Sequence, residues 1–382
     1  MARMHIEDHG LVYDAAAAPS ARRVAFFSSL CVLQSGTILC GFEVGSAKHA
    51  VDSAVGICRS RDSGATWQLL RHRFTTTLAG VAGSLGGAEM VEIAPGQLQL
   101  WATWFDRSEP DRPLFDPATE GILHSKLLLA SSSDDGETWS PWQEVATPGL
   151  SGCATTGPIV AWPDGTLAYA FESFKEFDDP RPARHAAWLL VSRDGGRTRG
   201  EPLLVANDPA GDRLYWDQRL CPTSRPGELV AMFWTHDRAQ QRDLNVHLRR
   251  AAIDGRGITG ESIRATTIPG QIAAPLLLDD QRLLAFVVDR ARPGTMKLWQ
   301  SRDGGLSWPV DDGLLVHEHE ERAAVTERGD HIDFAQYWED MLMWNFGHPA
   351  IRRLDSERVL LVYYAGTPDC MSIRWARVHV SD

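Results

Sequence analysis

One short pattern recurs along the chain: Ser-x-Asp-x-Gly-x-(Thr/Ser)-Trp. It appears at Ser60-Arg-Asp62-Ser-Gly64-Ala-Thr66-Trp67, at Ser132 to Trp139 and at Ser301 to Trp308. A further copy, Ser192-Arg-Asp194-Gly-Gly196-Arg-Thr198, carries Arg199 where the others have Trp. The chemistry of the pattern is that of a tight turn. Asp accepts hydrogen bonds from its own turn, Gly supplies a positive φ, and Trp covers neighbouring apolar surface. Each copy follows a strand-like run, such as Ala54 to Ile57 or Leu127 to Ala130, so each should close a hairpin.

A second recurrence counts the units. Turns between apolar runs occur at Gln34 to Thr37, Ala94 to Gln97, Pro163 to Thr166, Arg225 to Glu228, Asp279 to Arg282 and Asp355 to Arg358. Each leads into a β-rich stretch. Repetition on this scale predicts a radial array of small sheets. The fold class expected is all-β: a six-bladed β-propeller of four-stranded antiparallel blades, forming a single domain over residues 1–382. The Ile253-Asp254-Gly255 turn marks the blade that lacks the full motif. Met371 to Val380 ends the last blade one strand short, and an N-terminal stretch near Gly10 to Tyr13 should supply it and remove an open edge.

Composition excludes some functions. The formal net charge of −12 argues against nucleic-acid binding, which requires a basic face. No apolar run approaches the roughly 20 residues that span a bilayer, so no membrane partner is expected. Residues Met1 to Asp14 lack a signal peptide's apolar core, and the six cysteines show no CxxC spacing, so a reduced, cytoplasmic protein is expected. Nothing calls for a cofactor, and the oligomeric state is not legible.

In a radial array the site should lie at the end away from the repeated turns, lined by residues flanking the first two strands of each blade. The fourth blade is densest, with Tyr215 to Arg219 at entry and Trp234 to Arg238 at return. Elsewhere these positions include Glu43, His49, Asp52, Glu89, Arg107, Thr155, Thr156, Glu172, Arg290, Trp344, His348 and Tyr364. Carboxylates, cations and indoles at one face suit a carbohydrate partner, because indoles stack on sugar rings and charged groups hold hydroxyls or a carboxylate.

The repeated turns and the blade count resemble the sialidase superfamily over nearly the whole length. That resemblance implies three arginines holding a carboxylate, a Tyr–Glu nucleophile and an Asp acid/base. The residues match poorly. Phe26 and Trp234 stand where two arginines are expected, and Arg290 or Arg292 meets the third. His348 falls at the tyrosine position and Asp217 near the glutamate. Asp52 resembles the catalytic Asp in kind and place. An ordinary sialidase is therefore not expected.

The leading expectation is a glycoside hydrolase acting on an acidic sugar through paired carboxylates, Asp52 and Asp217, with Glu89 or Glu172 as substitutes. Arg107, Arg219, Arg238 and Arg290, with Glu172, Trp216, His236 and Tyr364, would bind substrate. One alternative is a lyase on a uronate, with His348 as base and Tyr364 as acid. Another is a non-catalytic carbohydrate-binding propeller. His317-Glu-His319-Glu-Glu321 and Asp330-His331-Ile-Asp333 carry ligand-type residues, but an exposed acidic loop is favoured over a metal site. Residues Asp333 to Met343 read as a short helix lying over the funnel, with Glu339 or Asp340 near substrate.

Overall fold

A computed structural model describes residues 4–182, 184–255, 257–279, 281–291, 294–319 and 341–380. The expected helix up to Asp340, the Asp330 to Asp333 segment and Arg292 lie outside these residues. The described chain is all-β. Consecutive strands pair antiparallel into four-stranded meanders, such as Gly83–Ala94, Gln97–Asp106, Ser125–Ser132 and Gln143–Val145. All six turns anticipated between first and second strands fall between paired strands.

The second strands, for example Ile38–Gly45, are buried on both faces. They read as continuous apolar runs because neighbouring sheets cover both sides. Apolar clusters fill the spaces between successive sheets. Val160, Ala168, Leu220 and Leu229 pack between the third and fourth units, and Leu30, Phe42, Val362 and Ile373 between the last and the first. The first strands also touch in sequence: Val24–Val32, Gly83–Ala94, Ile159–Ala161, Arg213–Pro222, Ala273–Leu277, Phe346–Arg353, and back to Val24–Val32.

The N-terminal strand is longer than expected. His5–Tyr13 pairs antiparallel with Cys370–His379, running from His5 opposite His379 to Tyr13 opposite Ile373. Val24–Val32 then meets Cys370–His379 through a single parallel pair, Val24 with Met371, joining two four-stranded units into one eight-stranded sheet.

The repeated turns share one hydrogen-bond set. In the first copy the Ser60 hydroxyl donates to Asp62 Oδ1 (2.8 Å) and the Gly64 N–H donates to Ser60 Oγ (2.9 Å). The Thr66 N–H and hydroxyl donate to Asp62 (2.9 and 2.6 Å), and Trp67 Nε1 donates to Gly64 O (2.9 Å). The Arg199 copy keeps the set, because Arg199 Nη1 donates to Gly196 O at 3.0 Å in place of the indole.

Leu314–His319 is a strand paired to Gly294–Ser301, and His319 is buried. The exposed acidic loop expected at His317 to His319 is thus corrected. No group of three metal-ligating side chains occurs among the described residues. No described helix is long and apolar enough to cross a membrane.

Candidate active site

Four first strands carry an irregular register, between Phe26 and Ser29, Gly86 and Glu89, Trp216 and Arg219, and Gly347 and Ala350. Such bulges re-aim side chains and recur next to functional sites. They present Phe27, Gly87, Asp217 and His348 to one cavity. The φ angles of Phe27, Asp217 and His348 are 52°, 45° and 53°, a left-handed conformation that non-glycine residues rarely adopt. At Gly87 a side chain has no room, since a Cβ would lie 2.3 Å from Thr155 Oγ1. These four residues therefore lie within the first strands at bulges, not ahead of those strands, whereas Glu43, Glu172 and Arg290 come from the ends of second strands.

The cavity offers about 100 Å³ to the centres of water-sized molecules. Of the residues anticipated, Glu89, Glu172, Trp216, Asp217, Arg290, His348 and Tyr364 line it. Arg219 stands behind this set. It is buried, lies 3.8 Å from both Glu89 and Asp217, and bonds to His348 Nε2 and the Thr156 carbonyl.

Four anticipated residues stand apart. Asp52 accepts from the Ser46 N–H (3.0 Å) and hydroxyl (2.9 Å) and pairs with Arg22 at 3.5 Å, so it ties a loop and does not line the cavity. Arg107 donates to Ser84 Oγ and the His49 carbonyl. His236 is fully buried, stacked on Trp216 and bonded to Asp243 at 3.0 Å. Arg238 pairs with Glu120.

Two lining groups received little or no weight from sequence. Glu43, near the end of Ile38–Gly45, is buried with its Oε1 3.7 Å from His49 Nδ1. Lys48 was not singled out at all. Its Nζ donates to the carbonyls of Met341 (2.8 Å) and Trp344 (3.1 Å) and to the Tyr364 hydroxyl (3.2 Å). A lysine following Gly45-Ser-Ala47 reads as a solvated loop residue, and only tertiary packing shows otherwise.

Burial dominates the electrostatics, because a low-dielectric setting disfavours charge. It raises Glu43 and Glu172 to about 8, with the Asp217 charge adding to the rise of Glu172. Asp217 is raised by burial and opposed by Arg219, Arg290 and Lys48. Glu89 is likewise raised by burial, and Arg219 opposes the rise. A carboxyl raised to about 8 thus sits beside a second whose rise the Arg219 and Arg290 guanidiniums oppose. The Gln218 N–H donates to Glu172 Oε1 at 3.0 Å and so links the two elements.

His348 is kept neutral by burial and then by Arg219. Its Nδ1 lies 3.1 Å from the Ser28 carbonyl, which can only accept, so Nδ1 carries the proton. Nε2 then faces a guanidinium donor. With both ring nitrogens engaged, His348 has no lone pair free to take a substrate proton.

Arg290 is buried, and its guanidinium lies 4.2 Å from the centre of the Trp344 ring. Its Nε and Nη1 make no hydrogen bond among the described residues. Its Nη2 donates to the Phe346 carbonyl at 3.4 Å, and a buried guanidinium at a cavity wall with two nitrogens unpartnered among the described residues is suited to an anion.

No family model matches the chain. A sialidase from Bacteroides fragilis is 27% identical over 158 residues, which are 37% of this chain and 28% of that protein. The chain therefore spans well under half of that relative. Among solved structures, a protein of unknown function from Dyadobacter fermentans superposes over 100% of both chains with a TM-score of 0.73 and 16% identity. A Hadza microbial sialidase aligns over 97% of this chain and 68% of its own, with a TM-score of 0.68 and 20% identity. The Penicillium chrysogenum α-L-arabinanase complexed with arabinobiose aligns over 98% of both chains, with a TM-score of 0.62 and 13% identity. In fold the chain resembles sialidases and an arabinanase, and over part of its sequence it is similar to a sialidase.

Proposed function

We propose that the cavity is the active site of a glycoside hydrolase acting on an acidic sugar, seated on the axis of a single six-bladed β-propeller. The cyclic contacts of the first strands and the shared hydrogen-bond set of the repeated turns support the propeller reading. The observation that carries the chemistry is the Glu172–Asp217 pair, two buried carboxyls both raised by burial, with the Asp217 charge raising Glu172 further while Arg219 and Arg290 oppose the rise of Asp217. Glu172 would give its proton to the leaving oxygen as the glycosidic bond breaks. Asp217 would take the proton of the attacking water, whose hydroxyl joins the anomeric carbon. Arg290, whose Nε and Nη1 make no hydrogen bond among the described residues, would hold the sugar's carboxylate. This keeps Asp217 in the role expected from sequence and gives Asp52's role to Glu172. The arrangement of His348 counts against the lyase alternative.

A panel of sialosides, uronides and arabinosides tests the reading. Asp217→Asn and Glu172→Gln should each lower turnover by about 10²–10⁴-fold, with Asp52→Asn near wild type. Wild-type turnover in both cavity variants sinks the assignment. An unsaturated product would point to elimination, and binding without turnover to a non-catalytic propeller.

A further inference from the structure

A second, smaller cavity adjoins the first. It offers about 20 Å³ to the centres of water-sized molecules, which is room for one such particle. First strands surround it: Gly83–Ala94 supplies Glu89, Arg213–Pro222 supplies Arg219, Ala273–Leu277 supplies Pro275, and Phe346–Arg353 supplies Pro349 and Arg352. Pro158, one residue ahead of Ile159–Ala161, completes this side of the wall. Glu89 lines both cavities, whereas Arg219 lines the second and not the first.

Donors and charge decide what fits there. The three prolines have no N–H to offer. Arg219 is 4% exposed, and its Nη1 and Nη2 are taken by the Thr156 carbonyl and His348. Its Nε makes no hydrogen bond among the described residues. Arg352 donates to the Ile351 carbonyl at 2.9 Å and forms no ion pair with a carboxylate among the described residues. Two guanidiniums therefore face one carboxyl, Glu89, which burial raises. The wall is net positive whether or not Glu89 is ionised.

A cation is repelled by this wall. A water molecule would answer the Nε–H and leave the charge uncompensated. A tetrahedral oxyanion is too large for the space of one particle. We infer that the second cavity is a binding site for a single monatomic anion, chloride or bromide, held by the Arg219 Nε–H and the Arg352 guanidinium.

Such an ion would act on the first cavity through Arg219. That guanidinium lies 3.8 Å from both Asp217 and Glu89 and opposes the rise of each. An anion at Nε offsets part of its charge, so both carboxyls should keep their protons to a higher pH. Glu172, Arg290 and Lys48 also face Asp217, but none of them lines the second cavity. Arg352 also faces Glu89, and its own contact with the anion acts in the same direction.

Thermal unfolding of the full chain tests the site. At constant ionic strength, replacing gluconate stepwise by chloride or bromide should raise Tm along a saturating curve. Arg352→Gln should lose the saturating part, and Arg352→Lys should keep some of it, each variant first showing a cooperative transition in gluconate. General salt effects act on all three proteins alike. A wild-type response that does not saturate, or that Arg352→Gln shares in full, overturns the site. On the hydrolase reading, saturating chloride should also move the acid limb of wild-type turnover to higher pH and leave that of Arg352→Gln in place. Turnover that depends on Asp217 without any saturable halide response removes the anion site and leaves the hydrolase. A saturable response in a protein that turns over no glycoside removes the hydrolase and leaves the anion site.

Discussion

Asp217 and His348 hold positive φ within the strands Arg213–Pro222 and Phe346–Arg353. Such backbone is unfavourable by about 1–3 kcal/mol per residue and persists only where surrounding structure enforces it. Here Arg219 engages both side chains and Ser28 anchors His348. The residue scale also governs pH behaviour. Glu43 has an ordinary value of 4.5 and is raised by burial to about 8. Between those values the folded state keeps a proton that the unfolded chain has released. Stability from this group is full below about 4.5 and is lost as pH rises toward 8. Glu43→Gln removes this dependence while keeping the shape. Melting temperatures should favour the variant over wild type increasingly from pH 5 to pH 8, and a constant difference would contradict a protonated Glu43. Little of this was legible in sequence. Asp217, Glu172 and His348 were found because they flank β-rich runs. Asp52 was favoured for its residue type and loop position, but Ser46 and Arg22 satisfy it locally.

At the scale of elements, what could be read was what is local. A turn's hydrogen bonds lie within a few residues, so its chemistry is written in consecutive positions. All four repeated turns and all six short hairpin turns were therefore visible. The bulges were not, because Phe27 and Asp217 have no glycine or proline beside them, Gly347 and Pro349 around His348 do not by themselves specify a bulge, and register depends on the partner strand. The turns also give a test of their own. Asp134 accepts from Thr138 N–H and Oγ at 2.9 and 2.6 Å and from Ser132 Oγ at 2.8 Å. Asp134→Ala strands these donors near the surface, where water partly replaces the carboxylate. A loss of about 1–2 kcal/mol is expected in denaturant unfolding, with the cavity's turnover unchanged. A loss of activity in a still-folded variant would mean that the turn is coupled to the site.

At the scale of the whole molecule, closure is the decisive feature. The chain's two ends meet where His5–Tyr13 completes the sheet of Cys370–His379, and the apolar cluster beneath the joint includes Val12, Tyr13, Trp375 and Leu30. Tyr13 also donates its hydroxyl to the Arg22 carbonyl at 2.9 Å, and the Ala15 N–H donates to Ser372 Oγ at 3.1 Å. The joint was foreseeable from a last unit one strand short, although Gly10 to Tyr13 marked only the buried half of the strand. Its removal should matter out of proportion to its length. Without residues 1–13, Cys370–His379 becomes an edge with unpaired N–H and C=O groups, and an exposed edge invites pairing with other chains. The truncated protein should melt at a lower temperature than wild type and form higher oligomers in size-exclusion chromatography at rising concentration. Supplying the peptide of residues 4–14 in trans should restore the wild-type elution profile in part, because it can re-form the same ladder. A truncated chain that elutes and melts with wild type would show that the inter-sheet clusters alone hold the sheets together.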